Sequence, residues 1–393
     1  MPNAPQRFLV KLAPQAQVAF GLAASRANLR PLYDEVQPLA GSPGPLAGAG
    51  LPPGQGLAPR AAPAAPAWYL ADLPDGGPTP WDGAHAQVAG QLGIDESAVL
   101  YAEPDLAHEI FTSDNEISGA PLALGDDCGQ RSQDTSGGKA PGPGFAWHLG
   151  DAFSQLGSAR AAVTFADPRT RIAHLDTGYD RAHAARPGHI LTALERSFVD
   201  ADGQPNSAQD PNRKELFDNR GHGTGTIGIL AGPKVVDSND FLGGAPEADI
   251  LPLRIANRVE LFFTSALAAA LRYATDQGCD VVTLSMGGLP SKAWNEAVNA
   301  AYEAGICVVA ASGDCIKGLP THHVVYPARY HRTIAACGVM ADGNEYYNIT
   351  QGIEGSWGPD SAMTAALSAY TPNIPWAKLG CAMTINLDGF SQA

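Results

Sequence analysis

Four stretches hold residues whose types could act together chemically. They are Asp176-Thr177-Gly178, the His222 of Gly221-His222-Gly223-Thr224, the turn at Gly313-Asp314, and Ser391 within the closing Gly389-Phe390-Ser391-Gln392-Ala393. A carboxylate, an imidazole and a hydroxyl are the parts of a nucleophilic set, in which the carboxylate orients the imidazole and the imidazole takes the hydroxyl proton. Each part is weak alone. Asp176 reads equally as a turn cap, His222 as a structural histidine, Gly313-Asp314 as a plain strand-to-loop turn, and Ser391 as an ordinary terminal serine. Two carboxylates sharing one proton are ruled out as the alternative. The chain holds a single Asp-Thr-Gly, and its pattern is not that of an all-β protein.

From about residue 146 onward, short apolar runs alternate with helical patterns. Strands are expected at RIAHL (171–175), ADILPLRI, DVVTLS, ICVVAAS and TIAACGV. Helices are expected at HGTGTIGILAG (222–232), at FTSALAAALRYATDQG with Gly278 closing it, and at SKAWNEAVNAAYEAG. Strands apolar on both faces, separated by helices, predict an α/β fold with a mostly parallel sheet covered on both sides. Chemistry in such sheets gathers where strands end. Asp176 and Gly313-Asp314 both follow strands, and His222 opens a helix of small residues that can approach its neighbours closely.

The chain divides into three zones. Residues 1–111 carry strand-like RFLVKL, AWYLADL and SAVLYAEPDL with a helix-like WDGAHAQVAGQLG, forming a small α+β unit. A Pro/Gly/Ala tract near 40–66 interrupts it, with a composition that cannot build a packed core. Residues 112–145 are polar and rich in Gly and Pro, a linker, and 146–393 form the main domain. The net charge of -15 over 393 residues argues against nucleic acid as a partner. That acidity is compatible with a structural calcium ion as well as with simple solubility, and no residue spacing assigns a metal site or another cofactor. No apolar run reaches the ~20 residues that span a bilayer, so no membrane partner is expected. RFLVKL reads as a strand rather than part of a signal peptide, which leaves the cellular address open. The six cysteines show no Cys-x-x-Cys spacing, and Cys279, Cys307 and Cys337 are expected as buried free thiols.

Taken in order, these segments resemble the subtilisin-like serine proteases. IAHLDTGYD is similar to the family's aspartate motif and GHGTGTIGILAG to its histidine motif. VVTLSMGG resembles the strand that binds substrate backbone, GICVVAASGD the strand leading to the oxyanion position, and VVYPARYHRTIAACGVMADG the segment downstream. The order Asp, His, Ser is also that of subtilisin. The resemblance implies a serine endopeptidase acting on polypeptide substrates through an acyl-enzyme. It assigns Asp176 to orienting His222, His222 to general base and Ser391 to nucleophile. Ser285, Met286 and Gly287 are implied to pair with the substrate strand. Ala311, Ser312 and Gly313 are implied to wall a specificity pocket, whose small residues suggest room for large apolar side chains. RFLVKL and VLYAEPDL resemble strands of the family's inhibitory propeptide, implying a proenzyme that has its own propeptide as a partner.

Two departures stand out. The family usually places asparagine at the oxyanion position, where this chain has Asp314, which donates a hydrogen bond only when protonated. At the serine motif, Phe390 replaces the family's threonine, and the long helix that follows in the family is not within these residues, so the domain reads as incomplete at its carboxyl end. The alternative expectation is an inactive, truncated subtilase-like protein that binds peptides without cleaving them.

Overall fold

The computed structural model describes residues 6–14, 16, 29–33, 67–73, 83–109, 146–164, 169–199, 205–211, 221–234, 240–258, 261–316, 320, 322–348, 353–371, 374–377 and 385–389. The Pro/Gly/Ala tract, the 112–145 linker, Cys128, Cys381 and Ser391 lie outside the described residues.

The amino-terminal zone forms β1 (Gln6–Leu12), β2 (Leu29–Pro31), β3 (Ala67–Leu73), helix α1 (Ala84–Leu92), β4 (Val99–Pro104) and β5 (Ala107–Glu109). The first four strands make an antiparallel sheet in the order β2-β3-β1-β4. Alternation in β1 sends Phe8, Val10 and Leu12 to a core with Val88, Ala89 and Leu92 of α1. Leu9, on the other face, joins the core of the main domain together with Trp68 and Leu70. The small unit therefore uses both faces of its sheet, one for itself and one for docking.

The main domain runs through α2 (Leu156–Ala162), β6 (Arg171–Asp176), β7 (Arg196–Ser197), α3 (His222–Ala231), β8 (Asp249–Arg254), β9 (Ala256–Arg258) and β10 (Leu261–Phe263). It continues with α4 (Thr264–Asp276), β11 (Val281–Leu284), α5 (Lys292–Glu303), β12 (Cys307–Ala311), β13 (Asp314–Ile316), β14 (Thr333–Val339), β15 (Tyr347–Asn348) and β16 (Ile353–Gly355). Helix α6 (Asp360–Met363), β17 (Ala366–Tyr370), β18 (Ile374–Ala377) and β19 (Ile385–Gly389) follow. Seven strands form one sheet in the order β17-β14-β12-β11-β6-β8-β7, and every pairing in it is parallel. The expected strands and helices all appear. Alanine and leucine at 266, 267, 268, 270, 271 and 274 turn one continuous face of α4 into the core. Ser291 caps α5 through its hydroxyl, which accepts from Trp294 N–H at 3.2 Å. Helix α4 ends at Asp276 with Gln277 as its C-cap, and Gly278, one residue further on, takes the left-handed φ of 64°.

Carboxylates of the small unit cap helices of the main domain. Glu103 accepts from the Ser291 hydroxyl at 2.8 Å and from the Lys292 and Ala293 N–H groups at 3.0 and 3.1 Å, at the start of α5. Asp105 accepts from Ser265 N–H at 2.8 Å and from its hydroxyl at 2.7 Å, at the start of α4. A negative group at the free N–H groups of a helix start is favourable on both hydrogen-bond and dipole grounds. Lys11 and the Trp68 indole both reach Glu296 of α5, at 2.8 and 2.9 Å.

The cysteine expectation holds only in part. Cys279 is buried, Cys307 is exposed and Cys337 half-buried, because the last two lie on β12 and β14 at positions that do not face the core.

Candidate active site

Strand β6 is an inner strand of the sheet and is almost fully buried, the setting that calls for apolar residues. His174 and Asp176 break that pattern at 4% and 1% exposure. Burying a carboxylate so completely is costly unless it is hydrogen-bonded and charge-compensated. Asp176 is both. Its Oδ1 accepts the Thr177 N–H at 2.7 Å and faces His222 Nδ1 at 2.8 Å, while Oδ2 accepts the Thr226 hydroxyl at 2.9 Å. Burial pushes the Asp176 carboxyl up, but His222, His174 and the Thr177 N–H together outweigh burial and hold it below the ordinary carboxylate range.

The fit of His222 onto Asp176 is made by glycines. Gly178 has a φ of 105°, and a Cβ there would lie 2.8 Å from the Ala208 carbonyl. That turn brings the chain beneath the start of α3. A Cβ on Gly223 would lie 2.0 Å from the Gly178 carbonyl oxygen and 3.0 Å from Asp176 Oδ1. Further ties close the junction: Gly223 N–H donates to Thr177 Oγ1 at 3.1 Å, and Asp180 N–H to Thr224 Oγ1 at 2.9 Å. Gly223→Ala must therefore push α3 away from backbone. The expected outcome is a loss of roughly 1–3 kcal/mol in stability, read as a lower urea midpoint at unchanged m.

Buried Arg254, on β8 beside Asp176, was not singled out by its sequence position. Its Nε donates to the Thr177 carbonyl at 2.8 Å, and burial lowers its pKa to about 10. A lone arginine ending an apolar strand, next to the strand that ends in aspartate, was the available signal.

The segments 285–287 and 311–313 end neighbouring strands, β11 and β12. The Met286 side chain is buried in the main core at 3% exposure, so the expected pairing with a substrate strand falls to its backbone. The space between the two segments is narrowed by a neighbour. A Cβ on Gly287 would lie 2.2 Å from Val325 Cγ2, and one on Gly313 3.0 Å from the same methyl. Val325 is tied between the segments, its N–H donating to the Ser312 carbonyl at 3.0 Å while Tyr326 pairs with Gly288. The wall residues are small because a valine already stands against them. Gly313 has a φ of 89°, and Asp314 then enters β13, pairing with Gly355.

No helix among the described residues is long and apolar enough to cross a membrane, and no three His, Cys, Asp or Glu side chains among them gather as a metal site would require. A cavity of about 430 Å³ between the small unit and the main domain is lined by Tyr33, Arg196 and Arg272 among others, and none of the site residues above border it.

Residues 168–384, more than half of the chain, match the Peptidase_S8 (Subtilase family) pattern. The chain belongs to the subtilase family. The parallel sheet with its covering helices is the family's α/β fold, and the match takes in Asp176, His222, 285–287 and 311–314 in sequence order. It ends before Ser391. Thermitase of Thermoactinomyces vulgaris is 32% identical over 194 residues, covering 48% of this chain and 63% of thermitase. Subtilisin DY of Bacillus licheniformis is 34% identical over 168 residues, covering 42% of this chain and 60% of that protein. The intracellular serine protease of Paenibacillus polymyxa is 29% identical over 191 residues, covering 47% of this chain and 54% of its own length. This subtilase therefore spans less than two thirds of the relatives it matches. Among solved structures, the prenylagaramide maturation protease PagA aligns with a TM-score of 0.44 at 20% identity, over 61% of this chain and 76% of that one.

Proposed function

We propose that this subtilase is a serine endopeptidase made as a proenzyme. The observation that carries the reading is the buried Asp176 carboxylate on His222 Nδ1 at 2.8 Å. That contact holds the proton on Nδ1 and leaves Nε2 free to take one from a nucleophile. Ser391 is the nucleophile in this reading. It lies two residues beyond Gly389, the end of β19, which pairs with β18. Strand β18 in turn packs on the helix that begins with His222, as shown by Ala377, whose Cβ stands 3.5 Å from where a Cβ of Gly228 would lie. The serine attacks the scissile carbonyl while His222 takes its proton. The imidazolium, stabilised by Asp176, then protonates the leaving amine, and water repeats the sequence on the acyl-enzyme. Asp314 occupies the oxyanion position in this reading, where a carboxyl donates a hydrogen bond only when protonated and opposes the developing charge when ionised.

The amino-terminal unit is the propeptide in this reading, and two features support it. Glu103 and Asp105 cap helices α5 and α4. Beyond them, β5 adds to β10 as an antiparallel strand, with Leu261 opposite Glu109 and Phe263 opposite Ala107. Strand addition is how a protease grips a polypeptide backbone, so the unit holds part of the substrate channel. Ser285, Met286 and Gly287, through their backbone, and 311–313 bind substrate in this reading, over a pocket that Val325 makes shallow. Val325→Gly is expected to raise the preference for large over small apolar side chains at the cleaved residue by roughly 10-fold or more, measured as a ratio of kcat/KM on paired peptides.

A fluorophosphonate probe tests the central claim. The parent chain should label and Ser391→Ala should not. A folded parent that fails to label, or a Ser391→Ala chain that labels equally, overturns the assignment and favours a peptide-binding protein.

A further inference from the structure

We propose that His174 and Thr226 are positioning residues that lock the rotation of the Asp176 carboxylate through a buried chain, His174 Nε2–H to Thr226 Oγ1 and Thr226 O–H to Asp176 Oδ2. The distances are 2.8 and 2.9 Å, and all three residues are buried, none more than 4% exposed.

The proton directions follow from the acceptors. An ionised carboxylate only accepts, so the single Thr226 proton goes to Oδ2. That bond is shorter than the 3.2 and 3.4 Å separations to the carbonyls of His222 and Gly223, and its acceptor carries charge. Thr226 must then accept from His174, which fixes the His174 proton on Nε2. Burial lowers the His174 pKa to about 4, so the ring is neutral near pH 7 and leaves the Asp176 charge to His222. The titratable groups acting on His174 are Asp176 on its own strand and His222 on α3, while the guanidinium of Arg254 on β8 turns to Thr177 and Asn257. On neighbouring strands His174 stands opposite Thr283 and Pro252, which carry no charge.

Periodicity brings the chain together. His174 and Asp176 are two apart on a strand and share a face. His222 and Thr226 are four apart on a helix and also share a face. Each carboxylate oxygen thus meets one residue of α3, and the pair can neither rotate nor swap oxygens. Without the Oδ2 partner, the carboxylate keeps its charge but loses one of the two restraints that hold Oδ1 on Nδ1.

This inference rests on the Asp176–His222 pair of the proposed function, but its test does not need hydrolysis. The ring protons and nitrogens of His222 are to be followed by NMR in the full chain, in Thr226→Val, in Thr226→Ser and in His174→Gln. The parent and Thr226→Ser should show one His222 tautomer with a strongly downfield Nδ1 proton. Thr226→Val should show that resonance lost or broadened, with the Nε2–H tautomer populated, while circular dichroism stays native. His174→Gln, whose amide can still donate to Thr226, should fall between them. If the chain hydrolyses peptides, Thr226→Val should lower kcat by about 10²-fold with KM unchanged. A folded Thr226→Val with the parent's His222 spectrum overturns the proposal. An inactive parent with the expected spectra leaves this inference standing and removes the protease reading alone.

Discussion

Replacing Asp176 by asparagine is expected to lower kcat on a chromogenic peptide by about 10⁴-fold, the size seen for that change in a Ser-His-Asp set on another fold. The reason here can be followed atom by atom. The amide oxygen can take the Oδ1 position, accepting from Thr177 N–H and His222 Nδ1–H as the carboxylate does. The amide nitrogen then faces Thr226 Oγ1, which accepts from it and turns its own proton to the His222 carbonyl, 3.2 Å away. The variant should therefore fold; its defect combines the lost negative charge, which no longer stabilises the imidazolium, with the orientation in which the amide NH2 faces Nδ1 and the imidazole proton moves to Nε2. A fall of less than tenfold, with the native circular dichroism spectrum kept, would show that the pair does not carry the reaction.

The second large effect is acid sensitivity. His148 and His174 are buried, and burial lowers both pKa values from 6.5 to about 4. The unfolded chain binds protons at these histidines near pH 6.5, whereas the folded chain resists them until pH 4. Between those values the unfolded state holds more protons, so stability rises with pH across the window and is lost as pH falls through it. Each histidine contributes at most about 3 kcal/mol of that loss, and Asp176, with its lowered pKa, extends it below pH 3.8. Urea denaturation at pH 7, 5.5 and 4.5 should show the midpoint falling steadily. His148→Leu separates the contributions. Neither ring nitrogen of His148 meets a hydrogen-bond partner among the described residues, so leucine removes two unsatisfied polar atoms as well as a titrating group. Its midpoint should exceed the parent's at pH 4.5 and depend less on pH. A slope identical to the parent's would exclude His148 as a source of acid lability.

Asp176 and His222 were legible because glycines lie close to both, Gly178 two residues after Asp176 and Gly221 and Gly223 on either side of His222, and a glycine near a polar residue at the end of an element marks a close approach. The structure gives the reason at Gly178 and Gly223, where a Cβ would run into backbone. His174 was hidden inside RIAHL, where it passes for one polar residue in an apolar strand. Thr226 was hidden inside a run of small residues. Their meaning depends on two faces meeting, and the spacing within either element does not show that meeting. The depth of the pocket was hidden for a related reason. Small residues at 311–313 can border open space or a neighbour's methyl group, and only the path of residues 324–326 decides that Val325 is the neighbour.

The sequence by itself determined the alternation of elements, the parallel sheet and the strand and helix ends that carry Asp176 and His222. Those follow from local periodicity and turn chemistry, which neighbouring residues dictate. The tertiary structure decided which side chains meet: Thr226 with Asp176 and His174, Val325 with Gly287 and Gly313, and Glu103 and Asp105 with the starts of α5 and α4. These partners are separated by tens to hundreds of residues. Their contacts exist only because close packing of the whole domain brings these distant segments against one another.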